Sequence, residues 1–465
     1  MMRSMSSAVS ALRNHQTRMD VVGNNIANVN TVGYKTSRVV FKDALNQMVR
    51  GAAGATDNRG GMNPHQIGMG MGISSIDTIF TQGIPDNTNK LSDAMIEGEG
   101  FFMVSADGNP DAKLYTRAGN FDLDGKGNLV NADGLRVLGY QADEKGNIGT
   151  ALGSIRVPAA DTFPPKVTTE TIMEGNLDAR TKSPDKETPP VTLTFVGSDA
   201  TNANNLYHKI GDTYTLNPDN AKFVARETDA YVYDSLGERH NIKLTYVKTA
   251  SNKYTVLAFA FGKDGKMYPA NNTDLGSDSL GNGVIGELTF NSDGTLDKGA
   301  STAAVKQMKL TPENGAQPIN FSISSAALTQ YGVGSTAVMA KQDGYTVGSL
   351  RGFEISPDGT VNGVFSNGQA KKFGKIATAV FSNPAGLVKQ GGSLFRDTDN
   401  SGEPQINPPG TAANGLLKPG YLEMSGVDLG VEFTNMITTQ RGFQANSRTI
   451  STTDQMLEEL VNLKR

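Results

Sequence analysis

The chain has no cysteine and no tryptophan in 465 residues. Without a thiol there is no disulfide framework and no cysteine-bearing metal site. An exported chain that avoids thiols in transit gives this composition, and so does chance. Histidine is nearly as scarce: His15, His65, His208 and His240 are scattered, with no pair at metal-ligand spacing, which argues against a zinc hydrolase. Charged residues make up only 19% of the chain and the net charge is −4, so a nucleic-acid-binding surface is not expected. No apolar run approaches the ~20 residues that span a bilayer, so no membrane insertion is expected. The N-terminus lacks the basic, apolar, small-residue order of a cleaved secretory signal, and the ordinary reading of such a chain is cytosolic.

Glycine is abundant, at 53 residues, and the length suits roughly three domains. Between the ends lie short apolar-alternating runs broken by turn residues. Strands are predicted at Ile73–Phe80, Phe101–Val104, Leu129–Val130 and Val137–Tyr140, then at Ala230–Tyr233, Lys243–Val247 and Tyr254–Phe261. Further strands are predicted at Phe353–Ile355, Thr360–Phe365 and Ile376–Phe381. Seven Asp-Gly dipeptides, whose glycines are at 108, 125, 134, 265, 294, 344 and 359, supply the positive φ angles of hairpin turns. The piece VPAADTFPPK (157–166) reads as a crossing into a second β domain that ends before about Lys341. Residues 36 to about 72 read either as a loose linker or as a long arm ordered only in an assembly; the arm is the preferred reading.

The two ends follow a different grammar. Met1, Met5, Ala8, Leu12, His15, Met19, Val22, Ile26 and Val29 alternate at spacings of four and three, and eight of the nine are apolar. That is a heptad seam. Leu429, Phe433, Met436, Phe443, Ile450, Leu457 and Val461 recur at three-, four- and seven-residue intervals, interrupted by Gln440, Ser447 and Asp454. The segment NNIANVNTVGYK (24–35) reads as a helix end followed by a tight turn, with Gly33 the turn residue at which a Cβ is costly. The expected fold is α+β: terminal helices in a coiled-coil-like inner domain (1–30 with 427–465), an extended arm (31–72), a β-rich middle domain (73–166 with 341–426) and a β-rich outer domain (167–340), nested as discontinuous segments. The assembly residues are Met5, Leu12, Met19, Val22 and Ile26, facing Phe433, Met436, Phe443, Ile450 and Leu457. The plainer alternative is an intramolecular helix pair in a monomer.

Motifs that look chemical do not hold up. DLDGKGNLVNAD (122–133) places acids at calcium-loop spacing, but Lys126 takes a ligand position and flanking helices are missing. RDTDNSGE (396–403) lacks a terminal carboxylate ligand. GKDGKM (262–267) has no Ser or Thr after its lysine and no phosphate-loop spacing. There is no Gly-x-Ser-x-Gly elbow. Phe101-Phe102 reads as core before it reads as a ligand groove. No catalytic set, cofactor site or metal site is expected.

NNIANVNTVGYK (24–35) and MITTQRGFQANSRTISTTDQMLEELVNLKR (436–465) closely resemble the paired terminal signatures of the bacterial flagellar axial proteins. GMGMGISSIDTIFTQG (68–83), DAMIEGEGFFMV (93–104), LYTRAGNFDLDGKGNLVNADGLRVLGY (114–140) and YLEMSGVDLGVEFTNMI (421–437) resemble the rod and hook branch. Together these segments cover nearly half the chain. The insertion at about 167–340, which distal rod proteins lack, points to the hook side, and YVYDSLGERHNIKLTYVK (231–248) looks like that family too.

The resemblance implies a non-enzymatic subunit of an extracellular flagellum, polymerising with itself into a curved, flexible tube that carries torque as a universal joint. It implies as partners the distal rod protein, the hook cap, the hook-filament junction proteins and the gate of the flagellar type III export apparatus, with export lacking a cleaved signal peptide. Where family members often carry an aromatic and then an aliphatic residue near the start as the export signal, this chain has Met5 and Val9. In one branch a cysteine before Asn-Leu-Asp is cross-linked to a neighbour's lysine; here Gly175 precedes Asn176-Leu177-Asp178, so that bond cannot form. Rival readings are a distal rod subunit and a secreted β-rich adhesin, with an enzyme carried on the tube behind them. Disordered termini are expected in the free monomer.

Overall fold

The computed structural model describes residues 2–463 except 56, 58, 145, 159, 188, 198–201, 211–212, 263–264, 272–273, 276–281 and 412–413. Met1, the first residue of the predicted seam, and Asp264, one of the predicted turn residues, lie outside the described residues. The fold is α+β: a helix α1 (Met2–Ala27), a long series of strands, and a closing helix α2 (Leu429–Asn462). The chain divides into two compact units. One comprises 1–161, 351–364 and 370–465; the other comprises 162–350 and 365–369.

In the first unit an antiparallel path runs through Thr360–Phe365, Ala370–Ile376, Arg136–Ala142, Phe101–Ser105, Lys113–Thr116, Leu394–Arg396 and Val388–Gly391. Strands from the first third of the chain therefore pair with strands from its last quarter. Two flanking ladders do the same: Ala94–Glu97 with Leu416–Pro419, and Pro85–Asn87 with Tyr421–Glu423. Phe101 lies at the centre of the core, among the edge-on and tilted rings of Phe80, Phe381 and Phe395, with Tyr115 against Phe381. Phe102 meets Phe121 edge-on, so both aromatics of the Phe101-Phe102 pair are core.

The arm is a twisted ribbon. Ser37–Asp43 pairs antiparallel with Met71–Thr78, and Asn46–Arg50 pairs with His65–Gly68. The strand expected at Ile73 to open the middle domain thus belongs to the arm, because its partners lie at 37–43. The outer part of the ribbon leaves Leu45, Met48, Val49, Ile67 and Met69 exposed.

The second unit is a sandwich. Strands Glu170–Asp178, Val305–Leu310, Ile319–Tyr331 and Val338–Gln342 form one sheet, in which the first and third run parallel. Val224–Tyr233, Arg239–Ala250, Lys253–Phe261 and Val284–Thr289 form the second. Tyr246, Tyr254, Val256 and Ala258 face Met173, Leu177, Phe321 and Ile323 in the core between them. Their neighbours Val247, Leu257 and Phe259 point the other way, into a second cluster with Leu206, Tyr207 and Phe223. Both faces of the central strands are covered, which is why TVLAFAF runs apolar without alternation.

This unit extends to Leu350, beyond the boundary expected near Lys341, because its first and last strands are tied together. Thr162 and Phe163 pair with Ser349 and Gly348, and Lys166 bridges Tyr345. Asp343 staples this neck: its carboxylate accepts from Thr169 N (2.8 Å), Thr169 Oγ1 (2.6 Å), Glu170 N (3.0 Å) and Lys166 Nζ (3.0 Å). Burial alone would raise its pKa, yet these donors outweigh burial and hold it far below the usual carboxylate range. Asp343-Gly344 is therefore a clamp and not a hairpin turn. Five of the seven Asp-Gly glycines, at 108, 134, 265, 294 and 359, do take positive φ; at 124–127 the left-handed residue is Gly127, two residues after Gly125.

Candidate assembly site at the chain ends

α1 and α2 run antiparallel: Asn25 Nδ2 donates to Glu432 Oε1 (3.1 Å), Arg18 Nη2 donates to Asn435 Oδ1 (3.0 Å), and His15 meets Gly442. α2 starts cleanly because Asp428 caps it, its Oδ1 accepting from Gly430 N (2.8 Å) and Val431 N (3.2 Å). α1 lies between α2 and the ribbon. Asn14 Nδ2 donates to Met71 O (2.6 Å), and Met5 shares a groove with Met71.

The buried seam is not the one hydropathy alone suggests. On α1 the buried residues are Ala8, Ala11, Val22 and Asn25; on α2 they are Thr439 and Thr453. Of the predicted interface residues Val22 is buried, while Met5, Leu12, Met19, Ile26, Met436, Ile450 and Leu457 are half-buried. Met19 and Phe443 line one groove together with Gln16, Gln440 and Gln444. Phe433 and Phe443 are 50% and 38% exposed, and Phe433 with Leu429 and Ile437 forms an outward stripe. Small side chains let the helices approach, and the large apolar ones stay outside.

The roots of both helices converge on one buried carboxylate that sequence reasoning missed. Glu423 Oε1 accepts from Lys35 Nζ (2.6 Å) and Gly83 N (2.8 Å), and Oε2 accepts from Arg117 Nη1 (3.4 Å). Lys35 Nζ also donates to Thr81 O (2.8 Å), and Arg117 Nη2 donates to Gly98 O (2.9 Å). All three side chains are almost fully buried. Burial pulls the Lys35 amine below its ordinary range, Glu423 opposes that, and Arg117 adds to it; burial likewise lowers Arg117. A signal was present: each charged residue sits inside one of the three signature segments 24–35, 114–140 and 421–437.

Asn25 and Gly33 complete the root. Asn25 exchanges hydrogen bonds with Ser37 (Nδ2 to Ser37 O, 2.8 Å; Ser37 N to Oδ1, 3.0 Å) and accepts from Tyr34 OH (3.1 Å), so this asparagine clamps and does not turn. Gly33 is the turn, with φ +68°, and its N–H donates to Glu423 O (2.8 Å). A Cβ there would lie 2.7 Å from Ala118 N, backbone that cannot swing aside. Gly33→Ala is expected to lower stability on the order of 1–3 kcal/mol. Local hydrogen exchange at residues 34–43 reads this; exchange unchanged from wild type would refute it.

Acidic sequence elsewhere is used within turns. Asp124 Oδ1 accepts from Lys126 N and Asn128 N, its Oδ2 accepts from Asn128 Nδ2, and Asp122 pairs with Lys90. Among the described residues one set of three metal-capable side chains meets: Asp234, Glu238 and His240. Asp234 accepts from Leu236 N and Glu238 N through Oδ1, and its Oδ2 meets His240 Nε2 and Asn314 Nδ2, so it closes a hairpin. No helix among the described residues is long and apolar enough to cross a membrane.

Models of known families match four stretches. Residues 5–35 match the flagella basal body rod protein family, and 418–463 match the C-terminal region of the flagellar basal body rod FlgEFG proteins. Residues 95–174 match the flagellar hook protein FlgE/F/G D1 domain, and 199–345 match the flagellar basal body protein FlaE D2 domain. All four describe axial subunits of the flagellar rod and hook.

The flagellar hook protein FlgE of Borreliella burgdorferi is 37% identical, that of Treponema pallidum 34% and that of Escherichia coli 33%, each covering at least 99% of both chains. The chain belongs to the flagellar hook protein family. A Bacillus subtilis relative named flagellar basal-body rod protein FlgG also matches along its whole length, at 28% identity, so length alone does not separate rod from hook. A solved Helicobacter pylori hook protein, FlgE2, overlaps 73% of this chain and all of its own, at 16% identity and a TM-score of 0.46. As a member of this family the protein is a structural subunit of the bacterial flagellar hook.

Proposed function

We propose that the chain polymerises through its terminal helices into a curved tube, and that this tube bends once per revolution while passing torque from rod to filament. The observation that carries the reading is the apolar stripe Leu429, Phe433 and Ile437, exposed on α2 on the side away from α1. Met5, Leu12, Met19 and Ile26 on α1, with Met436, Phe443, Ile450 and Leu457 on α2, flank the seam and contribute to contacts with neighbouring subunits. The ribbon's exposed Leu45, Met48, Val49 and Ile67 belong to the same assembly surface. Bending falls to the β domains, which slide past their neighbours on small, polar, hydrated contacts.

The nesting follows the same logic. Residues 1–30 with 427–465 form the inner layer, and the β domains sit outside it. Its partners are further copies of itself, the distal rod protein, the hook cap, the junction proteins and the export gate, reached by type III export without a cleaved signal peptide. Met5 and Val9 take the place of the usual aromatic export signal, methionine serving as a flexible apolar knob. The protein works mechanically, without turnover.

Alone, the helix pair is marginal. Helices of 26 and 34 residues bury only six side chains fully, two of them threonine. That is too little to offset backbone ordering of about 1–2 kcal/mol per residue. Amides of residues 2–27 and 432–460 are therefore expected to exchange nearly unprotected in the free monomer and to become protected in the tube. Hydrogen exchange by mass spectrometry measures this, and protection of both stretches in the monomer would overturn it.

A further inference from the structure

The N-terminal seam has one polar member, His15, and the assembly reading gives it no task. Its ring packs edge-on against Phe41 of the ribbon, with centroids 5.8 Å apart, and the Arg18 guanidinium lies over the same ring. On the other side it fills the space over Gly442. A Cβ built on Gly442 would lie 2.9 Å from both Cε1 and Nε2 of the imidazole. The ring cannot simply withdraw, because Phe41 backs it. Its Nδ1 is buried without a hydrogen-bond partner, so the ring is held by shape. Burial and then Arg18 lower its pKa, which favours the neutral form in that position.

Gly442 is one of only two glycines in α2; the other, Gly430, lies more than three turns away. Sliding α2 by one turn would bring Thr438 or Thr439, or Ala445 or Asn446, against the imidazole, and each carries a side chain where the ring now lies. We propose that His15 and Gly442 are a knob and hole that fix the longitudinal register of the two terminal helices. Only in this register do Asn25 meet Glu432 and Arg18 meet Asn435. The lock acts through shape alone and rests on the reading of the helix pair as the assembly element. A polar residue at one seam position is a known way for paired helices to specify register at some cost in stability.

The chain's lack of cysteine permits a clean test. Arg13 and Ser447, both exposed, are replaced by cysteine and spin-labelled, and the labelled full-length chain is diluted into unlabelled chain and polymerised. Electron-electron distance measurements on the tubes then read the spacing within one subunit. Wild-type tubes should give one narrow distance. Gly442→Leu should shift it by about 5 Å, one helical turn, or broaden it, and should cut tube yield at least tenfold. Gly442→Ala is the milder variant; because alanine is the better helix former, any loss it causes comes from the collision. Adding His15→Ala to Gly442→Ala should restore the yield.

An unchanged distance in both Gly442 variants would overturn the lock, as would failure of His15→Ala to relieve the Gly442→Ala defect. Tube growth by unlabelled wild-type chain reports on the assembly reading separately. Tubes that form with an unshifted distance in the variants would sink the lock and leave that reading standing.

Discussion

Glu423→Ala is expected to destabilise the first unit by about 3–5 kcal/mol, the range for removing one partner of a buried charge pair. The asymmetry of the cluster makes the effect large. Removing Lys35 still leaves Glu423 paired with Arg117, whereas removing Glu423 strands two cations, each almost fully buried. It also removes the acceptor of the half-buried Gly83 N. Lys35→Met should therefore cost clearly less than Glu423→Ala.

The pH dependence has a defined sign. The Lys35 amine is already held below its ordinary range by burial, and losing Glu423 removes the charge that opposes this. A lysine whose folded pKa lies below its unfolded value binds more protons when unfolded. Stability then rises with pH between the two values, so part of the loss in Glu423→Ala should be recovered in alkaline buffer. Hydrogen exchange of the ladder formed by 94–97 and 416–419, at neutral and alkaline pH, gives the local opening free energy. A loss under about 1 kcal/mol would remove the cluster from the account of how the helices are rooted.

Removing residues 1–30 and 432–465 is expected to abolish tube formation while leaving both β-rich units folded. The shortened chain keeps Lys35, Arg117 and Glu423, and it keeps the strand pairs between the early and late segments of the first unit. It loses α1 and nearly all of α2, and with them the stripe containing Phe433 and Ile437. Electron microscopy of both chains under polymerising conditions decides the matter. Curved tubes from the full chain alone are expected. Straight tubes would favour a rod-like subunit, and tubes from the shortened chain would move the assembly interface to the β units.

Much of this was legible in the residues, and what was not has a physical reason. α1 could be read because its apolar residues recur at heptad spacing, and the central strands because Asp-Gly turns punctuate them. α2 was less legible: its buried residues are Thr439 and Thr453, and Gly442 meets His15, all of which a hydropathy pattern scores as gaps. The Lys35–Glu423–Arg117 cluster escaped because its members lie 306 and 388 positions from Glu423, and no local period links them. Asp343-Gly344 carries the letters of a hairpin turn, but its glycine does not take positive φ, and its carboxylate is engaged by residues 166–170.

The neck stapled by Asp343 bears on how such a chain can change over generations. Because residues 162–163 are paired with 348–349, everything between them leaves and returns at nearly one point. For the remainder of the chain, lengthening or replacing that insert amounts to altering a closed loop, and the entropy of closing a loop grows only slowly with its length. The insert can therefore be lengthened or trimmed at little entropic cost, without disturbing the strand pairs that hold the root of the two helices.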